Sequence, residues 1–210
     1  MTKSGAFCRA LSVFALVLAV CMLFASCSVK PQLEVEGKKQ DFMSMSSEEL
    51  AKQATVGKYK DMTISLGDKT KEEAVWDAIL KNTEIHEYPS EHVYYYMGQL
   101  EGQYRYYAEQ AGVSYKEMLK QLGESETTIL QDSKSMTKKD IAYAIIVKLE
   151  NVSLTEDEKT AYFERYVEKY VENYGYGKEY VTSNMRELIY DSMLYDKTTE
   201  LLILSNTFSE

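Results

Sequence analysis

From Thr70 onward, apolar side chains recur every three or four positions. In residues 90–111 the apolar set Val93, Met97, Leu100, Tyr104, Tyr107 and Ala111 alternates steps of four and three, which gathers it on one helix face. Phe163, Val167, Tyr170 and Tyr174 repeat that spacing, and Ile141, Ile145 and Leu149 form a similar line. The starts are marked as clearly as the faces. Ser46/Glu49, Thr70/Glu73, Ser114/Glu117 and Thr155/Glu158 each put an oxygen acceptor at a helix entrance with a carboxylate three residues on, a spacing that lets each side chain cap the other's backbone N–H. Asn184/Glu187 has the same spacing and predicts the start of the last helix. Pro89-Ser90 opens the long 90–111 segment. Gly112, Gly123 and Gly175-Tyr176-Gly177 are the expected stops, and a further long segment runs from about Glu126 to Leu149.

Residues 58–66 (KYKDMTISL) read differently. Tyr59, Met62, Ile64 and Leu66 alternate with polar neighbours until Gly67-Asp68, which predicts one strand. No alternation follows residue 70, so a parallel sheet is excluded at this level. The predicted fold class is mainly α, built of long helical arms, with at most a small β element near residues 58–66.

The N-terminus follows other rules. Lys3 and Arg9 precede sixteen uncharged residues, Ala10–Ala25, a run too short for a spanning helix and suited to a signal peptide. Ala25-Ser26 directly before Cys27 resembles the lipobox of bacterial lipoproteins, with Phe24 where that pattern usually has leucine. The resemblance implies cleavage before Cys27 and a lipid on its thiol. Residues 28–45, with Pro31 and Lys38-Lys39, read as a tether. The expected organisation is a signal peptide over 1–26, a tether with a short helix over 27–57, and a helical domain over 58–210.

Composition narrows the partners. The chain is 45% hydrophobic and 27% charged with two prolines, which excludes collagen-like and wholly disordered classes. Its formal charge is −9; removing residues 1–26 takes away Lys3 and Arg9 and no acid, giving −11. Such a chain has no electrostatic reason to bind nucleic acid or an anionic lipid surface, so membrane attachment is expected through the lipid on Cys27. Cys8 and Cys21 fall in the signal, leaving the mature chain no internal disulfide.

Catalytic patterns are missing. His86 and His92 are six apart across Pro89 and cannot form a zinc-binding helix face. No nucleophile elbow, phosphate loop or dinucleotide fingerprint occurs. The carboxylate clusters Glu72-Glu73 and Glu156-Asp157-Glu158 stand at helix starts, where they favour the helix dipole. The expectation is a non-enzyme with no cofactor, no metal and no catalytic residue.

The unusual feature is eighteen tyrosines against six phenylalanines and one tryptophan. If Tyr104 and Tyr107 face inward, Tyr94, Tyr95 and Tyr106 cannot all be buried beside them. If Phe163, Val167, Tyr170 and Tyr174 face a partner, Tyr162 and Tyr166 fall on the flank. Tyrosine combines a large apolar area with a polar tip, and most of the ten methionines lie outside the signal, where they add pliable contacts. Tyr94, Tyr95, Tyr106, Tyr162, Tyr166 and Tyr176 are the candidate binding residues.

The order of segments resembles the C-terminal domain of bacterial trigger factors. AVWDAILKNTEIHEYPSEHVYYYMGQLEGQYRYYAEQAGVSYKEMLKQLG has the family's helix ending in Asn82, its step into Pro89, and its long helix closing on Gly112-Val113-Ser114. IAYAIIVKLENVSLTEDEKTAYFERYVEKYVENYGY is similar to the next arm, and Leu194-Tyr195-Asp196-Lys197 to the closing helix; KYKDMTISL is similar to the strand that precedes the isomerase module. No Gly-Phe-Arg-x-Gly ribosome-docking loop is found, and Leu66 to Thr70 leaves no room for an FK506-binding-type isomerase. Neither ribosome binding nor isomerase activity is therefore carried over.

The family's arms form a cradle for unfolded chains, a fold shared with SurA-type periplasmic chaperones. The resemblance thus implies a lipid-anchored, ATP-independent holdase for unfolded or newly exported polypeptides. It would act outside the cytoplasm on a bacterial membrane, through a groove lined by tyrosine and methionine. The other reading is a structural or assembly lipoprotein whose helices bind one dedicated partner. Whether two copies clasp each other stays open at this stage.

Overall fold

The computed structural model describes residues 37–210; the expected signal peptide, Cys27 and the first part of the tether lie outside the described residues. Eight helices occur among the described residues, with four three-residue strands. They are α1 (Ser47–Gln53), β1 (Ala54–Val56), β2 (Thr63–Ser65), α2 (Lys71–Lys81), β3 (Thr83–Ile85), α3 (Ser90–Ala111), α4 (Tyr115–Leu122), α5 (Glu126–Leu149), α6 (Glu156–Tyr174), α7 (Lys178–Asn184), α8 (Arg186–Leu204) and β4 (Thr207–Ser209). The fold is mainly α. The described chain forms two compact units, one of residues 37–41 and 88–138, the other of 42–87 and 139–210.

The first unit consists of α3, α4 and α5 as far as Lys138. Leu100, Tyr104, Leu119 and Ile129 form its core, with Met97, Tyr107, Tyr115, Leu122 and Met136 packed around them. Val93, Leu100 and Tyr104 are buried as the spacing predicts, but Ala111 is exposed because the helix ends there and Gly112 turns away at φ 66°. Gly123 closes α4 in the same left-handed conformation, which costs glycine nothing. At the start of α5 the Ser125 hydroxyl accepts from the Thr128 N–H while the Thr128 hydroxyl accepts from the Ser125 N–H, a reciprocal cap without a carboxylate. The N-terminal segment is fixed to α3: Lys38 N–H donates to the Glu91 carbonyl at 3.0 Å and Gln40 N–H to His92 Nδ1 at 2.8 Å. A Cβ at Gly37 would collide with the backbone of Tyr94 and Tyr95. The tether expected over 28–45 therefore does not extend past Gly37 as a loose strand.

The second unit has two clusters of buried side chains. Ile64, Ala74, Val75, Trp76, Ile79, Ile146 and Leu202 join α2, α5, α8 and β2; Phe42, Leu50, Ala54, Ile141 and Ala144 seat α1 against α5. Each fully buried Leu or Ile contributes roughly 1.5–3 kcal/mol. The line Ile141, Ile145, Leu149 is not the buried face of α5. Ile141, Ala142, Ala144, Ile146 and Val147 are buried on all sides, whereas Leu149, at the helix end, is 57% exposed. An apolar run without a polar face belongs to a helix surrounded by neighbours, which a one-face reading does not reveal. On α6, Phe163, Val167 and Tyr170 are buried as expected, and the helix packs against α7 and α8.

All four Ser/Thr–Glu boxes form, at Ser46, Thr70, Ser114 and Thr155. The Asn184/Glu187 box does not. Asn184 is the last residue of α7, its amide donates to the Tyr180 carbonyl at 3.1 Å, and α8 starts at Arg186 without a side-chain cap. The β structure also departs from expectation. The strand near 58–66 shrinks to Thr63–Ser65 and pairs in parallel with Thr207–Ser209, Ile64 opposite Phe208; β1 pairs with β3 antiparallel, Ala54 opposite Ile85. A parallel pairing is thus present after all, in strands too short to show an alternation.

Candidate functional site

Helical phase decides which tyrosines reach solvent. On α3, Tyr104 is buried and Tyr107 packs against the core, so Tyr94 and Tyr106 are turned outward, 39% and 46% exposed. Tyr95 is half-buried, its ring 5.3 Å from Tyr96 and 5.9 Å from His92. Tyr106 leans on Tyr107, with ring centroids 6.0 Å apart. Nearby, the Arg105 guanidinium stacks 4.3 Å from the Tyr115 ring, and burial pushes the Tyr115 phenol up to about 12.

In the second unit Tyr162 is 50% exposed on the outer side of α6. Tyr166, one turn on, is half-buried, and its hydroxyl donates to Asp196 Oδ2 of α8 at 2.6 Å. Burial first, and Asp196 after it, push that phenol far above its ordinary range. Tyr170 faces α8 through a 2.7 Å hydrogen bond with the Ser192 hydroxyl. Tyr176 lies half-buried between α6 and α7 in sequence and pairs with Tyr180 at 5.5 Å.

The six candidates are therefore divided between the two units. Tyr94, Tyr95 and Tyr106 lie on α3; Tyr162 and Tyr166 share α6, and Tyr176 stands beside Tyr180 of α7. Tyr180, 44% exposed on α7, is not among the six candidates, because the sequence signals no helix between Gly177 and Asn184. Nor are Leu149 and Leu204, the latter 78% exposed at the end of α8. A helix-end position was the available signal, since the last turn of an amphipathic helix often leaves its partner behind.

A hollow of about 580 Å³ in the first unit is lined by Lys38, Lys39, Gln40, Asp41, Pro89, Ser90 and Glu91. Its wall holds no tyrosine or methionine, so it is not the aromatic groove expected from the sequence. The exposed tyrosines stand on helix faces instead.

In the second unit a lysine amine is packed among aromatic rings. The Lys139 ammonium lies 5.2 Å from the Trp76 ring and 5.0 Å from the Tyr195 ring, and those two rings stack at 5.8 Å. Burial holds its pKa down to about 8, against the opposing pull of Glu72, Asp140 and Asp77. Trp76 Nε1 donates to Thr199 Oγ1 at 3.1 Å, tying α2 to α8.

The histidines serve structure. His92 is fully buried and accepts the Gln40 N–H, while His86 Nε2 sits 2.8 Å from the Thr55 hydroxyl. Among the described residues no group of His, Cys, Asp and Glu could hold a metal ion, and no helix is long and apolar enough to cross a membrane.

The sequence model of one protein family, described as bacterial trigger factor protein (TF) C-terminus, matches residues 46–203. No match was found among curated proteins or among solved structures.

Proposed function

The chain belongs to the bacterial trigger factor C-terminal family, and on that premise we propose that it is a membrane-anchored, ATP-independent chaperone that holds unfolded or newly exported polypeptides. The family domain is the chaperone arm of trigger factor, not its isomerase module, which points to a chaperone-like role. The observation that carries the reading is that each unit bears outward tyrosines of its own: Tyr94 and Tyr106 on α3 in the first, Tyr162 on α6 and Tyr180 on α7 in the second. Tyrosine grips apolar segments through its ring while its hydroxyl stays in water, which suits a surface that holds polypeptides reversibly. Reversible holding needs only such surfaces; no bond in the client is made or broken.

Anchoring rests on Cys27 and its lipobox-like surroundings, with the lipid supplying durable attachment and the net charge of −11 on residues 27–210 keeping the chaperone itself dispersed. The test is suppression of aggregation of a denatured client by residues 27–210, with mass spectrometry of the cell-derived chain for acyl groups on Cys27. Full aggregation at several-fold molar excess of the protein would overturn the chaperone reading; an unmodified Cys27 would overturn the anchor alone. A proline-peptide isomerisation assay is expected to show no acceleration.

A further inference from the structure

In the second unit the aromatic face between α6 and α8 is covered by the protein's own cations. The Arg186 guanidinium lies 4.6 Å from the Phe163 ring and its Nη1 donates to the Tyr190 hydroxyl at 3.3 Å. Lys169 Nζ lies 5.5 Å from the Tyr166 ring, and Lys159 Nζ 5.3 Å from the Tyr190 ring. Phe163 and Tyr190 touch each other at 5.7 Å, and Tyr166 follows Phe163 one turn along α6. Phase explains the arrangement: positions 159, 163 and 166 follow one another along the α8-facing side of α6, and 186 and 190 are one turn apart on α8.

We propose that Lys159, Lys169 and Arg186 are movable covers, displaced when an uncharged apolar segment of an unfolded polypeptide settles on the Phe163, Tyr166 and Tyr190 rings. This inference rests on the chaperone reading and specifies how one of its surfaces is gated. Three observations support it. Cation–π contacts at the surface are weak and exchange readily, unlike buried packing. The lysines do not lose every partner on moving off: Lys159 keeps Glu156 at 2.7 Å, and Lys169 has Asp196 at 3.9 Å. Arg186 is exposed, so solvent can receive its guanidinium.

The occupant follows from charge. Lys159, Lys169, Arg186 and Lys197 stand here beside Glu156, Glu158, Glu187 and Asp196, so the charges are locally balanced and offer a charged segment no net attraction. What the surface gains on uncovering is apolar ring area, which suits an uncharged apolar segment. The covers have a second effect. They keep ring faces from meeting those of another copy, which an uncovered chaperone of this kind would risk.

The experiment is fluorescence anisotropy of a labelled, uncharged apolar peptide with residues 27–210, comparing the unsubstituted protein with Lys159→Gln, Lys169→Gln and Arg186→Gln combined. Removing three weak covers is expected to tighten binding by about tenfold and to bring self-association into the range seen by sedimentation. Unchanged or weakened binding would overturn the proposal, because the cations would then be scaffolding or direct contacts. A second readout needs no substitution: with Lys169 Nζ 5.5 Å from the Tyr166 ring, its ε-protons are expected to be shifted upfield in the free protein and to lose that shift at peptide saturation. Persistence of the shift in a saturated complex sinks the gating alone. Absence of any peptide binding by the unsubstituted protein removes the chaperone reading and this inference with it.

Discussion

Lys139 donates a 2.8 Å hydrogen bond to the Tyr195 hydroxyl, which in turn donates to Glu72 at 3.1 Å. This chain joins α5, α8 and α2 at the Trp76 ring, and it does so with a charge taken largely out of water. Its energetics can be read from pH.

Burial lowers the Lys139 pKa from 10.5 to about 8. Between those values the unfolded chain binds more protons than the folded one, so stability rises as pH goes from 8 toward 10. At neutral pH the charged amine is a net cost. Lys139→Met is expected to be more stable than the unsubstituted protein at pH 7, by on the order of 1–3 kcal/mol, and to lack the rise between pH 8 and 10. Denaturant midpoints at the two pH values check this, with the fluorescence of the single tryptophan, Trp76, as probe. The window closes above about pH 10, where Tyr143 and Tyr195, whose phenols burial raises, begin to oppose the trend.

Glu158 gives the opposite test. The Lys197 ammonium, and after it the Thr155 N–H, hold this carboxyl at about 2, below its ordinary 4.5. Its contribution is present above pH 4.5 and is lost as pH falls toward 2. Glu158→Gln is expected to flatten that part of the acid unfolding curve, measured by circular dichroism, and to leave the alkaline side unchanged.

Burial on α5 separates two apolar residues three apart. Ile146→Ala removes a fully buried side chain and is expected to cost about 2–5 kcal/mol. Leu149→Ala, at an exposed helix end, is expected to change stability by less than about 0.5 kcal/mol. Equal losses in thermal unfolding would contradict the burial described here.

Tyr106 and Tyr162 are about half exposed, and neither belongs to the buried core. Tyr106→Ser with Tyr162→Ser is expected to weaken client capture several-fold while leaving the melting temperature nearly unchanged. Tyr166→Phe should behave differently, loosening α6 from α8 through loss of the Asp196 bond without removing the ring. Anisotropy with a labelled peptide and thermal melts on the same samples distinguish the two effects.

Much of this architecture is local and therefore readable in the chain. Ser46, Thr70, Ser114 and Thr155 cap their helices because each needs only a carboxylate three residues away. The outward turn of Tyr94, Tyr106 and Tyr162 follows from helical phase alone. What escapes the sequence depends on distant partners. Asn184 turns back to Tyr180 instead of opening α8, and Thr207–Ser209 becomes a strand only because Thr63–Ser65 lies beside it across 144 residues. Likewise the ties of Tyr166 to Asp196 and of Arg186 to Phe163 span different helices, so no spacing rule announces them.

The contact of Gly37 with the start of α3 has a geometric consequence for any lipid on Cys27. Nine residues, 28–36, separate that cysteine from Gly37. At about 3.3–3.6 Å per residue the chain between them spans at most roughly 35 Å. Were Cys27 to carry the proposed lipid, Gly37 would be confined to a thin layer above the bilayer, close to polypeptides leaving the membrane, where a longer stalk would carry it past them.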